Sequence, residues 1–239
     1  VMIHTPHGPK LEGVKIIFTS AGNPKTWTGI LKERGIKVVH VVSSSKFARK
    51  AEEAGCDAVV AEGFEAGGHN GREETTSMVL IPAVSAAVSI PVIAAGGIAT
   101  GRQMMAAMVL GAEGVQVGTR FVASEEASSH LAFKEKVIHA VEGDTQLSMK
   151  KLVPVRLMRN AFFQRIWAAE QRGATEAELR EILGRARAKK GMFEGDLDEG
   201  ELEIGQVSAL VKEILPAEKI VRILWEEFLE AGRHPFKMK

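Results

Sequence analysis

The chain is short of several things, and each shortage removes a class of explanation. It has a single cysteine, Cys56, among 239 residues, which excludes an internal disulfide and any zinc or iron–sulfur site built on several cysteines, and fits a reducing cytoplasm. It has no surplus of charge: 31 basic residues stand against 30 acidic ones, so no net field gathers nucleic acid or an anionic membrane surface. No apolar run reaches the roughly 18 residues that span a bilayer, and the first residues lack the basic-then-apolar layout of a signal peptide. A cytoplasmic protein with neither nucleic acid nor membrane as partner is expected. No short repeat and no low-complexity tract interrupts the text. The length suits one large domain, or one domain with a helical appendage, and can bury a sizeable core.

What is present is an alternation. Short β-branched runs, VKIIFTS (14–20), KVVHVV (37–42), DAVVAE (57–62), PVIAA (91–95) and GVQVG (114–118), are separated by amphipathic segments, TWTGILKERG, SKFARKAEEAG, TTSMVLIPAVSAAV and GRQMMAAMVLG. Near-continuous apolar strands with single helices between them predict parallel pairing in a βα-repeat fold, either an open sheet or a closed barrel. After about residue 124 the text reads as helical with no further strand. It includes a charged helix at 175–190 and a final helical pair whose second member starts near Pro216.

Candidate chemistry gathers at the carboxyl ends of strands, the functional edge of parallel βα folds. PVIAAGGIATG sets Gly96 and Gly97 between a strand and a helix, and GVQVGTRF repeats the device with Gly118 and Thr119. Two successive turns whose amides can approach a ligand unobstructed suggest a phosphate cradle. EAGGHNG places Gly67 and Gly68 where backbone could lie against a ring, with His69 beside them. An imidazole there could give or take a proton near neutral pH. His4, His7, His40, His130, His139 and His234 have no such setting.

EGFEAGGHNG, PVIAAGGIATGRQMMAAMVLGAEGVQVGTRFVAS and FTSAGNP together resemble the flavin-dependent nitronate monooxygenases, formerly 2-nitropropane dioxygenases, and the related flavin-type enoyl-acyl-carrier-protein reductases. The resemblance is strongest from about residue 14 to 125 and continues through GQVSALVKEI. It implies a TIM (β/α)8 barrel with a small helical subdomain and FMN as cofactor. Gly96, Gly97, Gly118 and Thr119 would then hold the FMN phosphate, and Gly67 and Gly68 would lie near the flavin. His69 would be catalytic, Gly22 and Asn23 would border the pocket, and Gln206 and Ser208 would approach it from the subdomain. Five strands are legible, six with VMI at 1–3, where a closed barrel needs eight. The chain is therefore expected to be the C-terminal portion of a longer protein, with residues 1–145 in the barrel and 146–239 in the helical subdomain and closing helices.

The resemblance implies oxidation of alkyl nitronates by O2 to carbonyl compounds and nitrite. A reductase that takes NADH or NADPH and an enoyl thioester would use the same pocket, as would a quinone reductase. A non-redox barrel for a phosphorylated ligand remains open, although Lys37, a candidate for Schiff-base chemistry, opens its strand at the wrong edge; an inactive fragment is the last alternative. Cys56 and the helically spaced Met104, Met105 and Met108 read as core. Trp225 and Phe228 suit packing on the barrel or on a second subunit of a homodimer.

Overall fold

A computed structural model of the protein describes residues 13–233, so VMI, His4, His7 and His234 lie outside the described residues. All five legible strands form. They are β1 (Ile16–Thr19), β2 (Lys37–Val42), β3 (Ala58–Glu62), β5 (Val92–Ala95) and β6 (Gly114–Gln116), joined by α1 (Lys25–Glu33), α2 (Ser45–Glu53), α3 (Ser77–Ser85) and α4 (Gly101–Val109). Every pairing among the five is parallel, in the order β1-β2-β3-β5-β6. Between β3 and α3 the two-residue strand β4 (Gly68–His69) leaves this sheet for another.

The pleat divides each strand between two apolar layers. Val38, Val42, Val59 and Val92 pack under the helices against Leu31, Ala48, Ala51 and Leu80. Val39, Ala58, Val60 and Ala95 form the opposite, inner face. On β1, Ile17 packs on the helix-side core, whereas Ile16 and Phe18 on the inner side are exposed.

The second half departs from the expectation of an all-helical segment. It contains β7 (Thr145–Ser148) and β8 (Val155–Met158), paired antiparallel, with β8 also pairing β4 in the order β4-β8-β7. The reversal runs through Met149 at a φ of 57°. The helices of this half are α5 (Thr119–Val122), α6 (Leu131–Ile138), α7 (Ala161–Gln171), α8 (Glu176–Leu183) and α9 (Ala217–Arg233).

Two further expectations are corrected. The charged helix stops at Leu183, because Gly184 adopts a φ of 62° at its end; a π-helical turn follows at Lys189–Phe193. The expected final pair is one helix, α9, because the chain before Pro216 is drawn into a bridge between Leu215 and Ser124. Helix α9 packs on α4, where the Glu227 carboxylate accepts from the Gly101 N–H at 2.7 Å. Among the described residues no helix is long and apolar enough to cross a membrane.

Candidate active site

The loop after β3 is bare because the rest of the chain lies on it. A Cβ at Gly63 would strike Ser77, and one at Gly67 would strike the backbone of Ile204 and Gly205. Gly68 has a φ of 75°, and its side-chain direction is filled by the Glu203 carboxylate. Closeness to protein thus accounts for the missing side chains at 67 and 68 on those faces.

Several bonds then hold this loop. Arg156, on β8 opposite Gly68, is 1% exposed. Its Nε and Nη2 donate to the Phe64 carbonyl at 3.2 and 2.8 Å, and its guanidinium sits 4.5 Å from the Phe64 ring centroid. Burial holds the Arg156 pKa below its ordinary value, against the pull of Glu65 and Glu74. The Asn70 side chain donates to the carbonyls of Ala66 and Gly68 at 2.9 and 3.2 Å. From the C-terminal half, the Gln206 N–H donates to the Glu65 carbonyl at 2.9 Å, and the Gly205 N–H donates to Thr119 Oγ1 at 3.1 Å.

Two clefts flank the loop. The larger, about 730 Å³, is bordered by the Ser20–Lys25 turn, His40, Ser43, Lys50 and His69. The smaller, about 240 Å³, is bordered by Gly67, Gly96, Gly97, Gly118, Thr119 and Glu203. Glu62, the last residue of β3, lines both. The expected residues divide accordingly. Gly22, Asn23 and His69 meet at the larger cleft, and Gly67, Gly96, Gly97, Gly118 and Thr119 at the smaller. Gly68 lines neither cleft, Gln206 is exposed, and Ser208 is buried away from both with no partner for its Oγ among the described residues.

The smaller cleft has the donors a phosphate requires. Gly96 and Gly97 have φ of 81° and 72°, and turns of this kind are where backbone N–H groups make anion-binding nests. The N–H groups of Gly97, Ile98, Gly118 and Thr119 donate to no acceptor among the described residues. A Cβ at Gly118 would point into open space. By this chemistry the backbone of the cleft suits a phosphate group.

Three titratable residues at the clefts escaped the sequence reading. Glu62 is pushed up to about 7 by burial. Glu203 is raised by burial, with His69 pulling the other way. His40 is lowered by burial, and its Nδ1 lies 2.7 Å from Thr19 Oγ1. The available signal for Glu62 was its place as the carboxylate that closes an apolar strand; strand alternation puts it on the inner face with Ala58 and Val60.

Fold and clefts define a curled parallel βα sheet with a glycine-turn cleft and a histidine at its carboxyl edge. The chain belongs to the nitronate monooxygenase family, whose model matches residues 10–227. A relative from Staphylococcus saprophyticus, carrying the name "Probable nitronate monooxygenase", is 39% identical over 166 residues, which is 65% of this chain and 47% of that protein. FabK from Thermotoga maritima superposes with a TM-score of 0.87 at 44% identity, over 92% of this chain and 70% of that one. A nitroalkane oxidase from Streptomyces ansochromogenes gives 0.77 at 27% identity, over 94% and 67%. The chain thus spans about half the length of the staphylococcal relative it matches.

Proposed function

We propose that the protein is an FMN-dependent oxidoreductase that oxidises alkyl nitronates with O2 to carbonyl compounds and nitrite. The observation that carries this reading is the meeting of two unlike clefts at Glu62, one built of amides for a phosphate and the other bearing His69 for a substrate. The family match and the similarity to a nitroalkane oxidase support it. When bound, FMN supplies the electron-transfer chemistry.

The chain's own residues position groups and move protons. The glycine turns at 96–97 and 118–119 hold the phosphate through backbone N–H groups. His69 is exposed at the larger cleft, and its backbone is fixed opposite Val155 of β8. Its imidazole takes the α-proton of a nitroalkane or steadies the nitronate already formed. The Ser20–Lys25 turn forms the far wall for that substrate. In this reading the protein works in the cytoplasm with no nucleic-acid partner, and Trp225 and Phe228, stacked at 5.4 Å on α9, offer a homodimer contact.

The higher similarity to FabK favours one second reading, a reductase that takes NADH or NADPH and passes a hydride to an enoyl thioester, with His69 placed to manage the accompanying proton. Anaerobic absorbance spectra of the FMN-loaded protein separate the two. Bleaching by propyl-2-nitronate alone is the expected result. Rapid bleaching by NADH or NADPH with none by nitronate would establish the reductase instead, and no flavin band under any loading condition would remove both.

A further inference from the structure

The smaller cleft is charged the wrong way for the ligand its backbone suits. Among the described residues no lysine, arginine or histidine lines it, and three glutamates do, Glu62, Glu65 and Glu203. Glu65 is committed elsewhere: its carboxylate accepts from the Ser77 N–H at 3.0 Å and from Ser77 Oγ at 2.8 Å. The carboxyl groups of Glu62 and Glu203 have no hydrogen-bond partner among the described residues, and that of Glu203 lies against Gly68. A phosphate carries a charge of about −1.5 to −2 at neutral pH. Placed in about 240 Å³ beside two ionised carboxylates, it would meet repulsion that the amides must first overcome.

We propose that this cleft takes its phosphate with Glu203 and Glu62 in the carboxylic-acid form, so that cofactor binding draws protons from solution. The inference rests on the flavin reading and concerns what the protein's own carboxyls do when the cofactor enters. The burial that raises both groups points the same way, Glu62 to about 7 and Glu203 upward. Other charges also act on this pair. Glu201, pushed up to about 7, interacts with Glu203, and Arg187 acts on Glu201. His69 opposes the rise of Glu203. Across Glu62, the larger cleft adds His40, Lys25, Lys50 and Glu53, and Arg156 stands beside Glu65.

The sign of the pH dependence distinguishes this arrangement from a plain cradle. A phosphate monoester gains its second charge near pH 6, so amides alone grip it more tightly as pH rises. Proton uptake demands the reverse, a weakening of up to about tenfold per pH unit for each linked proton.

The test is FMN affinity of the flavin-free protein between pH 6 and 9, read from quenching of flavin fluorescence and repeated with riboflavin, which lacks the phosphate. The FMN Kd is expected to rise with pH above 7 while the riboflavin Kd stays flat. E203Q and E62Q, each of nearly unchanged shape, are expected to lower the FMN slope by up to one proton apiece. An FMN Kd that is flat or falls with pH would overturn the proposal. So would a riboflavin slope equal to that of FMN, or a slope retained in both variants. Failure of the wild-type protein to bind FMN even at pH 6 would instead bring down the flavin reading, and this inference with it.

Discussion

The two clefts are neighbours that share a wall, yet they are made of different material. The smaller joins glycine turns and backbone N–H groups to carboxyl side chains whose pKa burial raises. The larger is lined by basic and imidazole side chains, including His40, His69, Lys25 and Lys50. Backbone donors cannot change protonation state and need no reorganisation, which suits holding a cofactor in one place. An exposed imidazole such as that of His69 suits a step in which protons move. Under the proposed function the difference teaches a division of labour, with binding on one side of Glu62 and chemistry on the other.

The sharpest way to break that comparison is His69→Ala. It is predicted to lower turnover by about 10² to 10⁴ and to retain FMN binding, measured by steady-state kinetics and fluorescence titration on the same preparation. Equal turnover would remove His69 from its role. Arg156→Met comes next, because the guanidinium clamps the loop that separates the clefts through two bonds to Phe64. Loss of a buried cation with its hydrogen bonds is predicted to cost about 2–4 kcal/mol in denaturant unfolding and to weaken both clefts together. Retained stability would mean the loop is held by other bonds.

Glu62 sharpens the comparison through pH. Its folded-state pKa of about 7 lies above its ordinary 4.5, so the folded state holds the proton more tightly than the unfolded one. The stability it contributes is complete below about pH 4.5 and falls away as pH rises through about 7. The flavin-free protein is predicted to lose about 1–3 kcal/mol over that interval on its account, and Glu62→Gln to flatten the fall in a series of unfolding curves. A variant with the wild-type profile would show that Glu62 titrates normally. Thr119→Val removes the acceptor for the Gly205 N–H and is predicted to cost about 1 kcal/mol in denaturant unfolding, with FMN weakened in fluorescence titration. The smallest effect is expected from Arg222→Ala. This residue makes an exposed i,i+4 pair with Glu218, away from both clefts, and should change stability by less than about 0.5 kcal/mol.

The parallel half of the fold was legible because its strands are β-branched runs with helices between them, and that pattern survives without tertiary knowledge. The glycine turns at 96–97 and 118–119 were legible for the same reason, lying where a strand gives way to a helix. Strand β7, the tetrapeptide TQLS, has no apolar signal to find. With β8 it is defined by pairing across a reversal, and β8 by its partnership with β4 some 86 residues earlier in the chain, from His69 to Val155. Gly67 was noticed but its neighbour was not, since only the fold brings Ile204 and Gly205 onto it. His40 looked like an ordinary strand residue until the register set it beside Thr19. Glu203 has no local pattern at all; its importance follows from burial against Gly68.

The division between a binding cleft and a reacting cleft is tested most directly by titrating FMN into flavin-free wild-type and His69→Ala proteins. One FMN bound per chain in both, and turnover lost only in the variant, is the predicted result. Absence of FMN binding in the wild type, or binding that disappears with the imidazole, would contradict it.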